Sequence, residues 1–410
     1  MAQGALRKQQ SPFFRSAQGC AVLHHLGQQE TTVDMGCLIA GVELSGGVRL
    51  ARCDAASSRE VVDYLEGALG LAHHLWRELP GPQGSTALVL TPEAQAALMP
   101  GHDTLHLRQH LDPVVADLDR ALEREVAVAL LGSPQPFHFD SAAGFASHVR
   151  VQRRICRAAA RTAVAFKTLA AERPDRYWTY DEEAGFLLQP GQALTDALRA
   201  ATQPSVTGQL YDFSCYRASE YVILLGLSEE LELVNPAQLE QLEARCRRRA
   251  IRSREFHEVF LDEFGSHESP VPSRYFVPGD RLWFRNPDAR SSDALGYEGS
   301  WVIYLGGGLF SNFWKQEQPY TLEDKCIEIY HWRDGAYQDD QQEWQMDEGR
   351  VEACVAATQA DGVMRRQVLQ RMMRLRDRQG EYADGGCLDA SREQPKSVWP
   401  QHCMLQVLPA

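Results

Sequence analysis

Residues 212–227 read Asp212-Phe213-Ser214-Cys215-Tyr216-Arg217-Ala218-Ser219-Glu220-Tyr221-Val222-Ile223-Leu224-Leu225-Gly226-Leu227. Asp212 and Ser214, both able to cap a helix, stand just ahead of a cysteine, and apolar residues recur at Ala218, Tyr221, Val222 and Leu225. That spacing predicts a buried helix over 213–227 with Cys215 at its start. The position has chemical consequences. A helix N-terminus carries partial positive charge, which favours a thiolate over a thiol. A nucleophilic cysteine then needs a proton acceptor or charge partner from a facing element.

The downstream sequence supplies such an element. Residues 281–285 alternate Leu282 and Phe284 against Trp283, and 300–305 and 309–314 read as two further strands joined by the tight turn Gly306-Gly307-Gly308. Residues 325–332 read as a fourth strand. An apolar helix opening on a cysteine and followed by an antiparallel strand set is the layout of a papain-like cysteine catalyst, an α+β fold. Cys215 as a mere buried small residue is the competing reading.

Upstream, residues 1–18 are polar and irregular. Strands are expected at 37–42, 48–51 and 87–90, with helices over 61–75 and 114–130, the second bounded by Pro113 and Gly132. Ser133–Phe139 holds two prolines and reads as a linker. Residues 1–140 therefore form a small N-terminal α/β domain of unassigned role, and 146–345 the core. A long basic-faced helix over 149–170 opens the core, with Arg150, Arg153, Arg154, Arg157 and Arg161 around an apolar stripe. The arginines clustered over 245–254 read as a solvated face near a helix end. A helix over 355–378 and an irregular tail make up 346–410.

The whole chain has 410 residues, with 44% hydrophobic and 24% charged residues, as in an ordinary globular protein. No apolar run approaches the ~18 residues of a membrane helix, and no signal-peptide block follows Arg7 and Lys8. A soluble, cytoplasmic protein is expected, without membrane contact. The net charge of −13 argues against nucleic-acid binding. Ten cysteines are scattered along the chain with no two at C-x-x-C spacing, so most are expected to be reduced and buried. His102, His106 and His110 recur every four residues. They follow Pro100-Gly101 and lack an accompanying carboxylate motif, which argues against a metal site.

Several strings carry a resemblance. They are Ala184-Gly185-Phe186-Leu187-Leu188, Asp212-Phe213-Ser214-Cys215, the eleven residues from Pro278-Gly279-Asp280 to Asn286-Pro287-Asp288, and the twelve from Gly299-Ser300-Trp301 to Leu309-Phe310. In order and spacing, residues 146–340 resemble the bacterial spore-coat type of protein-glutamine gamma-glutamyltransferase. The resemblance implies a papain-like, NlpC-type α+β core with an antiparallel sheet and a helix carrying the cysteine. It implies that Cys215 attacks the γ-carboxamide of a protein glutamine, that ammonia leaves, and that a lysine amine resolves the thioester into an isopeptide crosslink. Its partners would be proteins offering glutamine and lysine side chains, and it implies no metal or organic cofactor.

The sequence departs from that family at three places. Ser300 stands where the family has a glutamate, Phe313 where it has a histidine, and Ser214 where it has an acidic residue. The role of the base must then move elsewhere or be lost. Glu298 is the first candidate, because residues two apart on a strand share a face and Glu298 could reach the cleft that Ser300 faces. His331 is the second, for its intrinsic pKa. Glu220, five residues after Cys215, lies off its helix face. Two readings stand beside the crosslinking one: a cysteine amidase, deamidase or peptidase on the same fold, and a non-catalytic scaffold.

Overall fold

Short runs of alternating and β-branched residues build two sheets. In the first, β1 (Gly47–Leu50), β2 (Trp76–Pro80), β3 (Thr86–Leu90) and β4 (Pro136–Phe139) take the order β2-β3-β1-β4. Strand β1 runs antiparallel to β3 and parallel to β4. The expected linker at 133–139 is thus in part a strand; Pro136 is tolerated because β4 lies at the sheet edge. A separate hairpin pairs β5 (Trp178–Asp181) with β6 (Gly185–Leu188), and another pairs β12 (Ala336–Gln338) with β13 (Trp344–Met346).

The second sheet combines β7 (Leu261–Phe264), β8 (Arg281–Arg285), β9 (Gly299–Gly306), β10 (Leu309–Phe310), β11 (Tyr320–Thr321) and β14 (Arg392–Pro395). Their order is β11-β10-β9-β8-β14-β7, and every neighbouring pair is antiparallel. The computed structural model describes residues 46–51, 55–81, 84–111, 117–165, 171–377 and 385–405, all within one compact unit that begins at Ser45. The strand expected over 37–42 and the tail over 1–18 lie outside the described residues.

Helices cover both faces of the second sheet, and side-chain alternation along β9 decides what each face meets. Ile303 packs in the cluster containing Val222 and Leu225 of the helix Cys215–Val234. Val302 and Tyr304 point the other way, into the cluster of Leu322, Ile327 and Ile329 on the helix Leu322–Gly335. The long helix Ala142–Arg161 serves both halves of the molecule. Phe145 and Val149 pack under the first sheet, Val151 and Ile155 against the Cys215 helix. Its basic face is not left to solvent: Arg150 and Arg154 converge on the buried Glu230 at 2.6 and 3.1 Å.

Three expectations are corrected. Residues 325–332 are helix, not strand, because the capping box of Thr321 and Asp324 starts a helix there. Leu322, Cys326, Ile327, Ile329 and Trp332 bury that helix on several sides, so it shows no single apolar stripe. The helix expected over 355–378 is two helices, Glu348–Ala360 and Gly362–Met372, because the Asp361 side chain accepts from the N–H groups of Val363 and Met364 and caps a new start. The tail expected as irregular supplies β14, set between β8 and β7.

The turn Gly306-Gly307-Gly308 takes positive φ at all three residues, +82°, +61° and +80°, which side chains resist. It docks on the helix Leu118–Leu131, where the Gly307 N–H donates to the buried Glu125 carboxylate at 2.7 Å. Arg108 completes the joint, donating to Glu125 at 2.8 Å.

Candidate active site

Cys215 is the first residue of its helix. Ser214 caps the helix, its hydroxyl accepting from the Arg217 N–H at 3.2 Å. Asp212 is buried one turn earlier, with its carbonyl accepting from Arg173 at 2.9 Å and the Arg173 guanidinium lying 3.3 Å over the Phe213 ring. The cysteine is half-buried against strand β9. Its sulfur is within reach of the Trp301 and Tyr216 backbone N–H groups, which favour the thiolate. Burial outweighs them and pushes the thiol above its ordinary value, so the resting group is the thiol, contrary to the helix-dipole expectation.

Two charged side chains act on that sulfur with opposite effect. The Lys325 ammonium favours the thiolate and the Glu298 carboxylate disfavours it. Glu298 sits one residue before β9, and its carbonyl continues the ladder by accepting from the Asn286 N–H at 3.0 Å. Its side chain reaches solvent, yet the surrounding protein still raises its carboxyl; its own backbone N–H and the Gly296 N–H, at 3.4 Å, partly offset this. A carboxyl so raised is a better proton acceptor for a thiol than an ordinary carboxylate.

Lys325 was not legible in the sequence. It is buried on the helix Leu322–Gly335, 3.1 Å from Glu328 and 3.9 Å from the centre of the Tyr320 ring. Burial alone would lower its pKa, but Glu328, Tyr320 and Cys215 outweigh burial and raise it, so the ammonium stays charged. The only signal in the sequence was a lone lysine among the acidic Glu323, Asp324 and Glu328 and the apolar Cys326, Ile327 and Ile329.

His331 does not join this group. It lies on the same helix as Lys325, with Nδ1 2.6 Å from Asp334 and Nε2 2.7 Å from the Thr358 hydroxyl. Both ring nitrogens are engaged, and the strand on which His331 was expected is absent. Phe313 is buried in the core behind the Cys215 helix, and Asn312 spends its side chain on the backbone of Gln318, Trp314 and Lys315. Glu220 is buried and paired with Arg217 at 2.6 Å. His102 and His110 bind the carbonyls of Gly132 and Leu98.

An aromatic wall flanks the cysteine. Trp301 stacks on Trp283, with ring centres 6.0 Å apart, and meets the Tyr216 ring edge-on at 5.1 Å. The buried Arg281 guanidinium lies against both Tyr216 and Trp301, and Glu393 of β14 neutralises it. His257 holds the other oxygen of Glu393 at 2.9 Å, an exchange that raises the imidazole pKa.

The long string Pro278–Asp288 turns out to be scaffolding. Gly279 has φ +97°, and a Cβ there would meet the Gln152 side chain. The Asp280 carboxyl accepts from the Val277 N–H at 2.8 Å and from the Gln394 amide at 2.9 Å. Asn286 donates to Ser291 and to the Tyr297 carbonyl, while Asp288 caps the short helix Ala289–Ser292. These residues hold β8 and β9 where they face the cysteine.

Comparison with known proteins gives the family. No curated protein matches the chain. Among solved structures it is similar to a transglutaminase from Geobacillus stearothermophilus lacking its C-terminal extension, at 18% identity and a TM-score of 0.36, over 64% of this chain and 98% of that one. The family model described as protein-glutamine gamma-glutamyltransferase matches residues 107–396, well over half the chain. The chain belongs to the protein-glutamine gamma-glutamyltransferase family.

Proposed function

We propose that Cys215 is the nucleophile with which this transglutaminase crosslinks proteins. The reaction of the family joins a glutamine carboxamide of one protein to a lysine amine of another. In our reading the Cys215 proton passes to Glu298, and the thiolate formed is held by the Trp301 N–H and the Lys325 charge. It attacks the carboxamide carbon, ammonia leaves, and an acceptor lysine amine breaks the thioester, returning the sulfur as thiol. Glu298 takes the role of the glutamate missing at Ser300. Lys325 supplies, as charge alone, part of what the histidine missing at Phe313 would provide. The observation that carries this reading is a half-buried cysteine at a helix start, its sulfur against the Trp301 N–H and in the field of the Lys325 ammonium and the Glu298 carboxylate.

We read the helix packed on the antiparallel sheet as the papain-like, NlpC-type core. We also place the protein in the cytoplasm, where its seven described free thiols would stay reduced. Mass spectrometry of the native protein tests the latter, and a native disulfide would overturn it.

The decisive assay supplies a glutamine-bearing protein and a primary amine and measures isopeptide formation and ammonia. Wild type should release ammonia and incorporate amine together, and Cys215→Ala should do neither. Ammonia release without amine incorporation would point to a deamidase. No turnover by wild type would point to a scaffold.

A further inference from the structure

We propose that His331, Asp334 and Cys354 form a zinc site that clamps two helices together, separate from the cysteine chemistry. Their donor atoms, one imidazole nitrogen, one carboxylate oxygen and one sulfur, all lie within 4.8 Å of one another. They come from two helices with the right periodicity. His331 and Asp334 are three residues apart on the helix Leu322–Gly335, and Cys354 precedes Thr358 by four on the helix Glu348–Ala360. Residues so spaced share a helix face, so two faces meet edge to edge at one point.

The donor set selects the metal. Calcium and magnesium prefer all-oxygen shells. Imidazole, thiolate and carboxylate together suit zinc, which takes four ligands in tetrahedral array. Water would fill the fourth place, because Asp334 and Cys354 are partly exposed while His331 is buried at 3%. The charges balance: one carboxylate and one thiolate neutralise a divalent ion, and the imidazole stays neutral.

Thr358 supplies the outer support such sites use. A ligating histidine generally anchors its second ring nitrogen in a hydrogen bond, which fixes the ring and its tautomer. Here Nε2 lies 2.7 Å from the Thr358 hydroxyl, and Nδ1 faces Asp334 at 2.6 Å. In the metal-free protein the Nδ1–H donates to Asp334. On binding, that ring proton shifts to Nε2, which then donates to the Thr358 hydroxyl, Nδ1 and the Asp334 oxygen separate to take the ion, and the Cys354 thiol gives up its proton to solvent.

The site lies six residues beyond Lys325 on one helix, about 9 Å along its axis. A bound ion would therefore stiffen the helix that presents Lys325 without touching the reacting atoms.

The full-length protein, reduced and stripped with chelator, tests this by titration with zinc and with cobalt as a spectroscopic substitute. One equivalent should bind, and the cobalt form should show a sulfur-to-metal charge-transfer band. Cys354→Ser should abolish that band, and Asp334→Asn should weaken zinc binding by at least tenfold. Thr358→Val should weaken it about 10- to 100-fold, as loss of an outer-shell partner does. Both Asp334 and Cys354 are partly exposed, so these variants should fold, which thermal melts of the metal-free forms check. Absence of stoichiometric binding, or a band that survives in Cys354→Ser, overturns the proposal.

Discussion

Asp280 and Glu298 are two carboxyl groups that burial pushes upward, and they are furnished in opposite ways. Asp280 is sealed in the core, and its pKa is pushed up to about 7 although the Val277 N–H, the Gln394 amide and the Arg392 charge all favour ionisation. Every oxygen is committed. Glu298 has its own backbone N–H, the long contact from Gly296 and an open route to water. A carboxyl whose hydrogen bonds are all spoken for holds backbone in place. One that is under-committed, raised and in the field of a thiol is available to move a proton. The difference separates structural from chemical acids better than the pKa directions, which agree.

Substitution can break that contrast. Glu298→Gln should cut crosslinking by about 10²–10⁴, the usual worth of a positioned base, and should shift stability by no more than about 0.5 kcal/mol. A normal rate with a lowered melting temperature would reverse the assignment. The next largest effect should fall on stability. Glu393→Gln strips the buried Arg281 of its anion, and breaking a buried pair costs about 3–5 kcal/mol, measurable by urea unfolding. An unchanged midpoint would show that Tyr216 and Trp301 suffice to hold the guanidinium.

Asp280 itself predicts a pH signature. Its folded-state pKa is raised from 3.8 to about 7. The unfolded chain therefore releases this proton first, and stability falls as pH climbs from about 4 to about 7, then levels off. Asp280→Asn should remove that decline while leaving crosslinking near wild type. A decline of the same size in the variant would assign it to other groups. The smallest effect concerns Lys325. Lys325→Met removes a cation acting on Cys215, so alkylation of Cys215 by iodoacetamide should slow several-fold at pH 8 and its pH profile should move upward. A profile that moves downward would mean that burial of the ammonium, not its charge, governs the thiol.

The sequence made some of this plain and hid the rest for physical reasons. Strands β8 and β9 were readable because Leu282, Phe284, Val302 and Tyr304 fill one face, and because three glycines in a row have few uses other than a tight turn. The Cys215 helix was readable from its cap and apolar spacing, though its end was placed seven residues short. The helix Leu322–Gly335 was misread because Ile327 and Ile329 alternate as in a strand. Thr321 and Asp324, three apart, were the overlooked start signal. Strand β14 was invisible because it has almost no apolar residue: Arg392 and Gln394 are nearly fully buried yet polar, Gln394 held by Asp280 and Arg392 lying over the Phe276 ring, both far away in sequence. Lys325 and Glu298 meet Cys215 only in three dimensions. The positions matching the family string 278–288 were legible as a pattern, but that pattern records how the sheet is braced rather than how the thiol is activated.

The glycine turn after β9 has a consequence for how such a chain can be cut or recombined. Its three left-handed residues rest on Glu125 and Arg108, and Tyr304 beside it reaches the carbonyl of Thr104 at 3.2 Å. The family match likewise begins at residue 107, inside the stretch expected to be a separate first domain. A fragment starting after residue 140 would thus expose the underside of the β9–β10 hairpin and lose its only described anionic seat. The same holds for grafting: the hairpin cannot be moved to another host, nor an unrelated leading domain fused in front of it, unless the Leu118–Leu131 helix travels too. What looks like an appendage in the sequence is the abutment of the active sheet.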